Sequence, residues 1–450
     1  MGRPDLPTDL PADTPTGTPA PGTAPNPLRR VAAASLIGTT IEFYDFYVYA
    51  TAAVLVFGPL FFPAASDAAQ TLSSLATFAI AFVARPFGSV LFGHFGDRVG
   101  RKTTLVASLL LMGISTTLIG VLPTHATAGV LAPLLLCVLR FGQGLGLGGE
   151  WGGAALLATE NAPSHRRALY GTLPQLGAPL GFILANTLFI VLSVVLDEDA
   201  FTAWGWRIPF LLSALLVVLG LYVRLNLAET PVFTEALRRR ERVRVPVAEV
   251  FRGSWRTVVL GALSVVLTYT LFYLMTVFCL SYGTDAEAGL GYDRRTFLLM
   301  LCGAVLFMAL GTPVSGLLSD RFGRRPVLAA AMLGALVLGL LIEPLLGSGS
   351  TALVMVFLCA GLFCMGLVFG PIGAYLPELF PTAVRYTGAS VAFNSGSILG
   401  ASLAPYTAVR LAGAGGLTWV GWYLAGAAVL SLLALAALRE TRTADLSAVR

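Results

Sequence analysis

The sequence has little charge: 12% of its 450 residues are Asp, Glu, Lys or Arg, against about 25% in ordinary soluble domains. The rest is strongly apolar, with 56% hydrophobic residues and a mean hydropathy of +0.80. So few charged side chains cannot cover a soluble protein of this length. The composition excludes a soluble enzyme and a wholly disordered chain.

Cysteine and histidine are also scarce, with five and three residues. All five cysteines lie inside apolar runs, and the histidines are scattered in loops and near segment ends. Neither set has the spacing of a disulfide framework or a metal site. We therefore expect no metal, no cofactor and no enzymatic activity.

Long apolar runs are abundant. A helix needs about 20 apolar residues to cross a bilayer, and strands of a transmembrane barrel would alternate apolar and polar residues. The runs do not alternate, so they predict an all-α membrane protein with twelve transmembrane helices. The predicted segments are 31–58, 72–95, 103–122, 129–157, 168–195, 206–224, 256–282, 296–318, 326–346, 351–375, 384–409 and 418–438.

Lys and Arg in the loops predict the topology, because basic loops stay in the cytoplasm. Nearly all of them fall on the side of the two termini, and few, such as Arg294 and Arg410, fall on the other. Both termini are therefore predicted to be cytoplasmic, in a multi-pass protein of the cell (inner or plasma) membrane. The predicted organisation is a disordered tail (1–30), a six-helix half (31–224), a basic linker (225–255), a second half (256–438) and a tail (439–450).

An internal repeat supports two similar halves. The pattern Gly-x-x-x-Asp-Arg-x-Gly-Arg occurs at residues 93–101 and again at 316–324, each time after the second helix of a half. Two halves that place the same motif on the same side are related by an axis along the membrane normal. Some secondary transporters are built in this way, with the substrate site between the halves.

These motifs, with several helix strings, resemble the major facilitator superfamily and, within it, the metabolite:proton symporter family. The strings are Ile41–Tyr47 (IEFYDFY), Arg85–Gly88 (RPFG), Arg140–Gly144 (RFGQG) running into Gly148–Ala154, Trp204–Phe210, and Pro377–Pro381 (PELFP). Members of that family transport proline and betaine, α-ketoglutarate and shikimate.

The resemblance implies a secondary transporter that imports a small polar metabolite with a proton by alternating access. The substrate would be a zwitterionic osmolyte, such as proline or glycine betaine, or an organic acid. The proton gradient supplies the energy, the lipid bilayer is the surroundings, and no nucleic acid or obligate protein partner is implied. The alternatives are a proton-driven exporter of a metabolite or drug and a non-transporting membrane sensor.

Charges inside predicted spans are expensive and therefore point to function. Glu42 and Asp45 stand three residues apart on one helix face. We predict that Asp45, Glu42 and Glu150 carry the coupled proton. The alternative is that these carboxylates are structural partners of Arg85 or Arg140.

Arg140 is predicted to bind a substrate carboxylate, because a guanidinium can donate two parallel hydrogen bonds; an ion pair with a buried acid is the alternative. In the superfamily, helices 1, 4, 7 and 10 line the cavity. Polar and aromatic residues of these helices are the further candidates for substrate binding, with helix packing as their alternative role: Gln143, Tyr44, Tyr47, Trp151, Tyr269 and Tyr273.

In related transporters the charged loop motifs hold the two halves together in one state of the cycle. We expect the same gating role here; the alternative is that they only determine topology. The predicted gating residues are Gly93, Asp97, Arg98, Gly100, Arg101, Glu160 and Arg167 in the first half, and Gly316, Asp320, Arg321, Gly323, Arg324, Glu378 and Arg385 in the second.

The glycines of the fourth segment match a dinucleotide-binding pattern, Gly144-x-Gly146-x-x-Gly149. They lack the preceding strand that gives this pattern its meaning. Inside a membrane span, such spacing predicts close helix packing instead.

Overall fold

The structure is a computed structural model that describes residues 28–63, 67–99, 101–160, 162–225, 246–381, 384–402 and 404–443. Throughout these ranges the regular structure is helical, without a strand. Residues 1–27, 226–245 and 444–450, and with them most of the predicted tails and linker, lie outside the described residues.

Twelve principal helices follow the predicted segments. They are α1 (Leu28–Leu55), α2 (Asp67–Val99), α3 (Arg101–Ile119), α4 in two pieces (Leu131–Gly148 and Trp151–Glu160), α5 (Gly177–Val195), α6 (Ile208–Leu225), α7 (Trp255–Ser264, Val266–Tyr273 and Cys279–Thr284), α8 (Arg294–Phe322), α9 (Arg324–Leu340), α10 (Thr351–Glu378), α11 (Arg385–Ser397) and α12 (Ala404–Ala437). Short helices are Phe57–Phe61, His125–Ala128, Arg167–Gly171, Glu198–Ala203, Pro246–Gly253 and Ile342–Leu346.

Eight helical runs among the described residues are long and apolar enough to cross a membrane: Ala69–Gly93, Leu131–Leu156, Arg167–Val195, Gly205–Leu225, Trp255–Thr284, Arg294–Phe322, Thr351–Glu378 and Arg385–Ala437. The last has 53 residues, or about 80 Å at 1.5 Å per residue, far more than one crossing of about 30 Å. Its backbone leaves helical geometry at Gly415 and at Gly416, where φ is 74°, between the two segments that the sequence predicts there.

The three other predicted segments, α1, α3 and α9, are helical but fall short of that test. α1 contains polar residues such as Glu42 and Asp45, which lower its hydropathy. In α3 the apolar stretch is short, Thr103–Ile119. After Leu340, α9 is interrupted before Ile342–Leu346 continues the segment.

The two halves repeat the same helix pairings. In the first half α2 packs on α4 and α3 on α6; in the second half α8 packs on α10 and α9 on α12. The halves meet along α2–α11 and along the equivalent pair α8–α5. The internal repeat of the sequence is thus also a repeat of the packing.

Glycines allow α4 to approach its neighbours at backbone distance, as the sequence predicts. A Cβ at Gly144 would overlap the carbonyl oxygen of Ala81 in α2, and one at Gly148 would overlap that of Arg85. A Cβ at Gly146 would lie 2.8 Å from the carbonyl oxygen of Ser108 in α3. This confirms the packing role of the glycine run.

Candidate functional site

A small cavity of about 40 Å³ lies between the two halves. A volume of this size holds a water molecule but not a metabolite, since ligand pockets usually measure about 300–1,000 Å³. The structure is therefore contracted around its centre. Both halves line the cavity: Glu42, Phe43, Tyr47, Arg85, Leu147, Trp151 and Ala178 from the first, and Thr268, Tyr269, Phe272, Tyr273, Met308, Met365, Phe369, Phe393 and Asn394 from the second.

Two opposite charges line this cavity, and both come from the first half. Glu42 of α1 and Arg85 of α2 are almost completely buried. The guanidinium carbon of Arg85 lies 4.6 Å from the ring centroid of Phe82 and 4.9 Å from that of Phe46. These cation–π contacts offset part of the cost of keeping a cation away from water.

Aromatic rings form much of the remaining wall. Trp151 of α4 and Phe393 of α11 stack with centroids 3.7 Å apart and planes within 7°. Tyr269 of α7 packs on Phe393 at 5.1 Å, and Tyr47 of α1 on Phe272 at 5.5 Å. The two halves therefore meet through rings at the cavity.

Arg140 is wholly buried but lies outside the cavity wall. Its guanidinium carbon is 3.8 Å from the ring centroid of Tyr49 and 4.5 Å from that of Phe46, and it donates a hydrogen bond to Gln143. The ring of Phe46 thus contacts Arg140 as well as Arg85.

Three other predicted residues, Gln143, Asp45 and Tyr44, also make their side-chain hydrogen bonds within the first half. The Gln143 amide donates to the Thr116 hydroxyl at 2.9 Å. Asp45 accepts a hydrogen bond from the hydroxyl of Ser213 in α6 at 2.6 Å, and the Tyr44 hydroxyl donates to the carbonyl oxygen of Pro209 at 2.8 Å. Of the predicted binding and coupling residues, those on the cavity wall are Glu42, Tyr47, Trp151, Tyr269 and Tyr273.

Glu150 forms an ion pair with Arg224 of α6, and both side chains are buried. Arg224 also donates to the carbonyl oxygen of Leu105 in α3 at 2.6 Å. Arg224 is the last residue of the first predicted half, and it is not among the partners predicted for Glu150 from the sequence. Its position on the buried face of α6, seven residues after the buried Val217, could have revealed it.

The charged residues of the second loop motif join the halves. The Asp320 carboxylate accepts hydrogen bonds from the backbone N–H groups of Ala168 and Leu169, both at 3.0 Å. Arg324 pairs with Asp320 at 3.3 Å and with Glu378 at 3.2 Å. We call the end of the molecule that carries this network the motif end.

Other predicted gating residues surround this network. Arg167 lies 3.8 Å from Glu378, and Arg385 donates to the carbonyl oxygen of Phe380 at 3.3 Å. Arg321 packs over the ring of Phe322. Gly316 allows α8 to approach the short helix Arg167–Gly171, since a Cβ there would lie 3.0 Å from the Leu169 Cα.

The equivalent residues of the first half are only partly described. Gly93 lies near Tyr386 and Thr387 of α11, which places it at the motif end. Gly100 and the side chains of Asp97, Arg98, Arg101 and Glu160 lie outside the described part of the chain.

Glu440 is a further functional candidate, which the sequence does not single out. Its carboxylate accepts hydrogen bonds from the backbone N–H groups of Arg324 and Arg325, both at 2.9 Å, at the start of α9 where Gly323 adopts φ 106°. Partial burial raises the pKa of Glu440, but the backbone donors outweigh it and hold the pKa below its usual value. An acid shortly after the last helix is the only sequence signal for it.

Among the described residues, no group of three or more His, Cys, Asp or Glu side chains could hold a metal ion.

Comparison with known proteins gives the family. The model of the sugar (and other) transporter family matches the chain twice, over residues 31–245 and 233–447. The chain belongs to the major facilitator superfamily. It is 57% identical over 422 residues to the inner membrane metabolite transport protein YhjE of Escherichia coli K12, covering 93% of this chain and 96% of the relative.

Two further similarities agree with this. The shikimate transporter of Escherichia coli K12 is 35% identical over 426 residues, with 92% of this chain and 95% of the relative covered. The proton:xylose symporter XylE shares the fold, with a TM-score of 0.73 at 18% identity over 92% of this chain and 96% of that one. The protein is a multi-pass metabolite transporter of the inner membrane.

Proposed function

We propose that the protein imports a small carboxylate-bearing metabolite together with a proton. In this proposal twelve transmembrane helices alternate access to the central cavity, and both termini and the motif end face the cytoplasm. The observation that carries the proposal is a small cavity between the halves with one acid, one guanidinium and a wall of aromatic rings.

Arg85 binds the substrate carboxylate in this account. It is the cation on the cavity wall, and a guanidinium matches a carboxylate with two parallel hydrogen bonds. Arg140 supports the site from outside the cavity wall. Its guanidinium contacts the ring of Phe46, which also contacts Arg85, and it donates a hydrogen bond to Gln143.

The aromatic wall receives the rest of the substrate. Stacked rings such as Trp151 and Phe393 can hold a quaternary ammonium by cation–π contact or cover the ring of a cyclic acid. This wall suits the osmolyte and the organic-acid substrates equally. The carboxylate that both share is therefore the chemical group by which we define the substrate class.

Glu42 exchanges the coupled proton in this account, with Asp45 and Glu150 in the same half as further carriers. Glu42 is the carboxyl on the cavity wall, so the opening of the cavity to either side exposes it to a different pH. A buried carboxylate is costly unless it is paired or protonated. Substrate and proton thus occupy the same cavity.

The small size of the cavity supports alternating access. It must widen by parting the halves before a metabolite enters, and the network of Asp320, Arg324 and Glu378 closes the motif end until then. Parting the halves at that end has to break the bonds of Asp320 to Ala168 and Leu169.

The test is transport by purified protein in proteoliposomes under an imposed pH gradient, acid outside. The panel is shikimate, α-ketoglutarate, proline and glycine betaine, with xylose as the compound that lacks a carboxylate. We expect accumulation of at least one carboxylate compound, with proton uptake and no xylose transport. Accumulation of xylose alone, export against the gradient only, or uptake indifferent to the gradient contradicts the proposal.

A further inference from the structure

The α-helical hydrogen-bond pattern of α4 is interrupted at Gly149 and Glu150. The N–H of Gly149 bonds to the carbonyl oxygen of Gly146, and that of Glu150 bonds to Leu147, each one residue short of the α-helical pattern. The helix resumes at Trp151. Such breaks leave carbonyl oxygens that need other donors.

Donors from the other half reach these carbonyl oxygens. The Tyr386 hydroxyl of α11 donates to the carbonyl oxygen of Gly149 at 2.5 Å. The Asn394 amide of α11 donates to the carbonyl oxygen of Gly148 at 3.3 Å and to the Ser89 hydroxyl at 2.7 Å. We call Tyr386 and Asn394 with their two carbonyl acceptors the α11 clamp.

The packing around the clamp is as close as helices allow. A Cβ at Gly152 would overlap the hydroxyl of Ser390 in α11. Trp151, the residue before Gly152, stacks on Phe393, which lies about one turn along α11 from Ser390. Because α11 lies directly on the broken stretch of α4, a change in the path of that stretch moves the acceptors of the clamp.

The ion pair of Glu150 fixes the same stretch from the opposite side. Its partner Arg224 is held by α6 and by the carbonyl oxygen of Leu105 in α3. The other described charge facing this pair is Glu42 of α1, which interacts electrostatically with Arg224 and also with Arg85 of α2. From α11, the titratable group is Tyr386 itself.

We propose that Tyr386 and Asn394 are gating residues, and that the Glu150–Arg224 ion pair sets the backbone geometry they clamp. When Glu150 takes up a proton, the ion pair is lost, the carbonyl oxygens of Gly148 and Gly149 turn away, and α11 separates from α4 at the motif end. The inference rests on the proposed proton coupling, and it adds the contacts through which protonation of Glu150 in the first half changes the packing of the second half.

The test measures opening of this interface directly and needs no substrate. Ser390→Cys places a thiol between α11 and Gly152, and its labelling rate by a water-soluble maleimide is measured in purified protein. The chain without the added cysteine is the blank for the five native thiols. Failure to find a transported substrate would leave this readout intact.

Tyr386→Phe removes one hydroxyl and no ring atoms. The matched control is Tyr375→Phe, which removes a hydroxyl that donates to the Arg439 carbonyl oxygen at 3.0 Å within the second half. We expect Tyr386→Phe and Asn394→Ala to raise the labelling rate at least threefold, and Tyr375→Phe to leave it unchanged. Equal rates in Tyr386→Phe, Tyr375→Phe and the parent chain would overturn the proposal.

Glu150→Gln imitates the protonated carboxyl and tests the second part. We expect it to raise the labelling rate as Tyr386→Phe does, and the double variant to add nothing further, because both changes release the same clamp. Unchanged labelling in Glu150→Gln, or multiplying effects in the double variant, would show that the ion pair does not act through the clamp. A thermal unfolding curve of each variant identifies any that has lost its fold.

Discussion

The two halves share their helix pairings but distribute buried charge differently. In the first half, charged side chains lie buried well away from the helix ends, among them Glu42, Arg85, Arg140 and Glu150. In the described second half, the buried charges are Arg324, Glu378 and Arg385, all at the motif end. One backbone plan thus supports two tasks: the first half carries the charge chemistry, and the second supplies apolar walls and closing contacts.

Packing explains how the same fold tolerates both distributions of buried charge. Charges of the first half are held by other charges, by rings or by hydroxyls, as Glu150 is by Arg224, Arg85 by Phe82 and Asp45 by Ser213. At the middle of the second half, the cavity wall consists of side chains such as Met308, Met365 and Phe369. A wall of this kind can slide over a substrate without breaking ion pairs.

The largest effect should come from breaking a buried pair of the first half. Arg224→Met leaves the Glu150 carboxylate buried without its partner, which costs about 3–5 kcal/mol. The double variant Arg224→Met/Glu150→Gln removes both charges and should recover most of that loss. Denaturant unfolding in detergent measures the free energy of unfolding of each variant. An Arg224→Met variant as stable as the parent would show that the ion pair contributes little to stability.

Arg85 should have the next largest effect, on transport. Arg85→Lys replaces two parallel hydrogen bonds by one point charge, and the loss of about 2–3 kcal/mol corresponds to roughly 30- to 150-fold weaker apparent affinity. Arg140→Lys is the comparison, and we expect a clearly smaller change in affinity because Arg140 lies outside the cavity wall. A larger loss of affinity in Arg140→Lys than in Arg85→Lys would indicate that Arg140, and not Arg85, binds the substrate carboxylate.

The aromatic wall of the second half should contribute less per residue. Phe393→Ala removes a ring that stacks on Trp151 and Tyr269, and aromatic pairs are worth about 0.5–1.5 kcal/mol beyond their burial. We therefore expect apparent affinity for the transported compound to fall up to roughly tenfold, with the proton-to-substrate ratio unchanged. A changed ratio would mean that the second half takes part in coupling.

Glu440 should have the smallest effect. Because its folded-state pKa lies below the usual 4.5, its stabilisation is complete above that value and is lost as the pH falls through the lower folded-state pKa. The group is partly exposed, so we expect less than about 1 kcal/mol. At neutral pH, Glu440→Gln should unfold at a slightly lower denaturant concentration than the parent, and in acid the two midpoints should coincide. A difference between the midpoints that grows in acid would contradict this.

The sequence predicts the helices and the repeat well because apolar length and loop motifs are local signals. It does not predict which way side chains point around each helix. The sequence predicts that Arg140 and Arg85 are both intramembrane cations. In the structure, Arg85 lines the cavity, whereas Arg140 packs on the ring of Phe46 and lies outside the cavity wall. The break of α4 was missed for a similar reason, since close packing of Gly149 on Phe92 and the donors of α11 are tertiary contacts.

The central claim is that proton coupling resides in the first half, and proton flux in proteoliposomes tests it most directly. The measurement is the number of protons taken up per carboxylate substrate in Glu42→Gln and in Glu378→Gln, its counterpart among the buried acids of the second half. We predict that Glu42→Gln takes up fewer protons per substrate than the parent, while Glu378→Gln transports more slowly at the parental ratio. A parental ratio in Glu42→Gln, with the ratio lost in Glu378→Gln, would contradict the account.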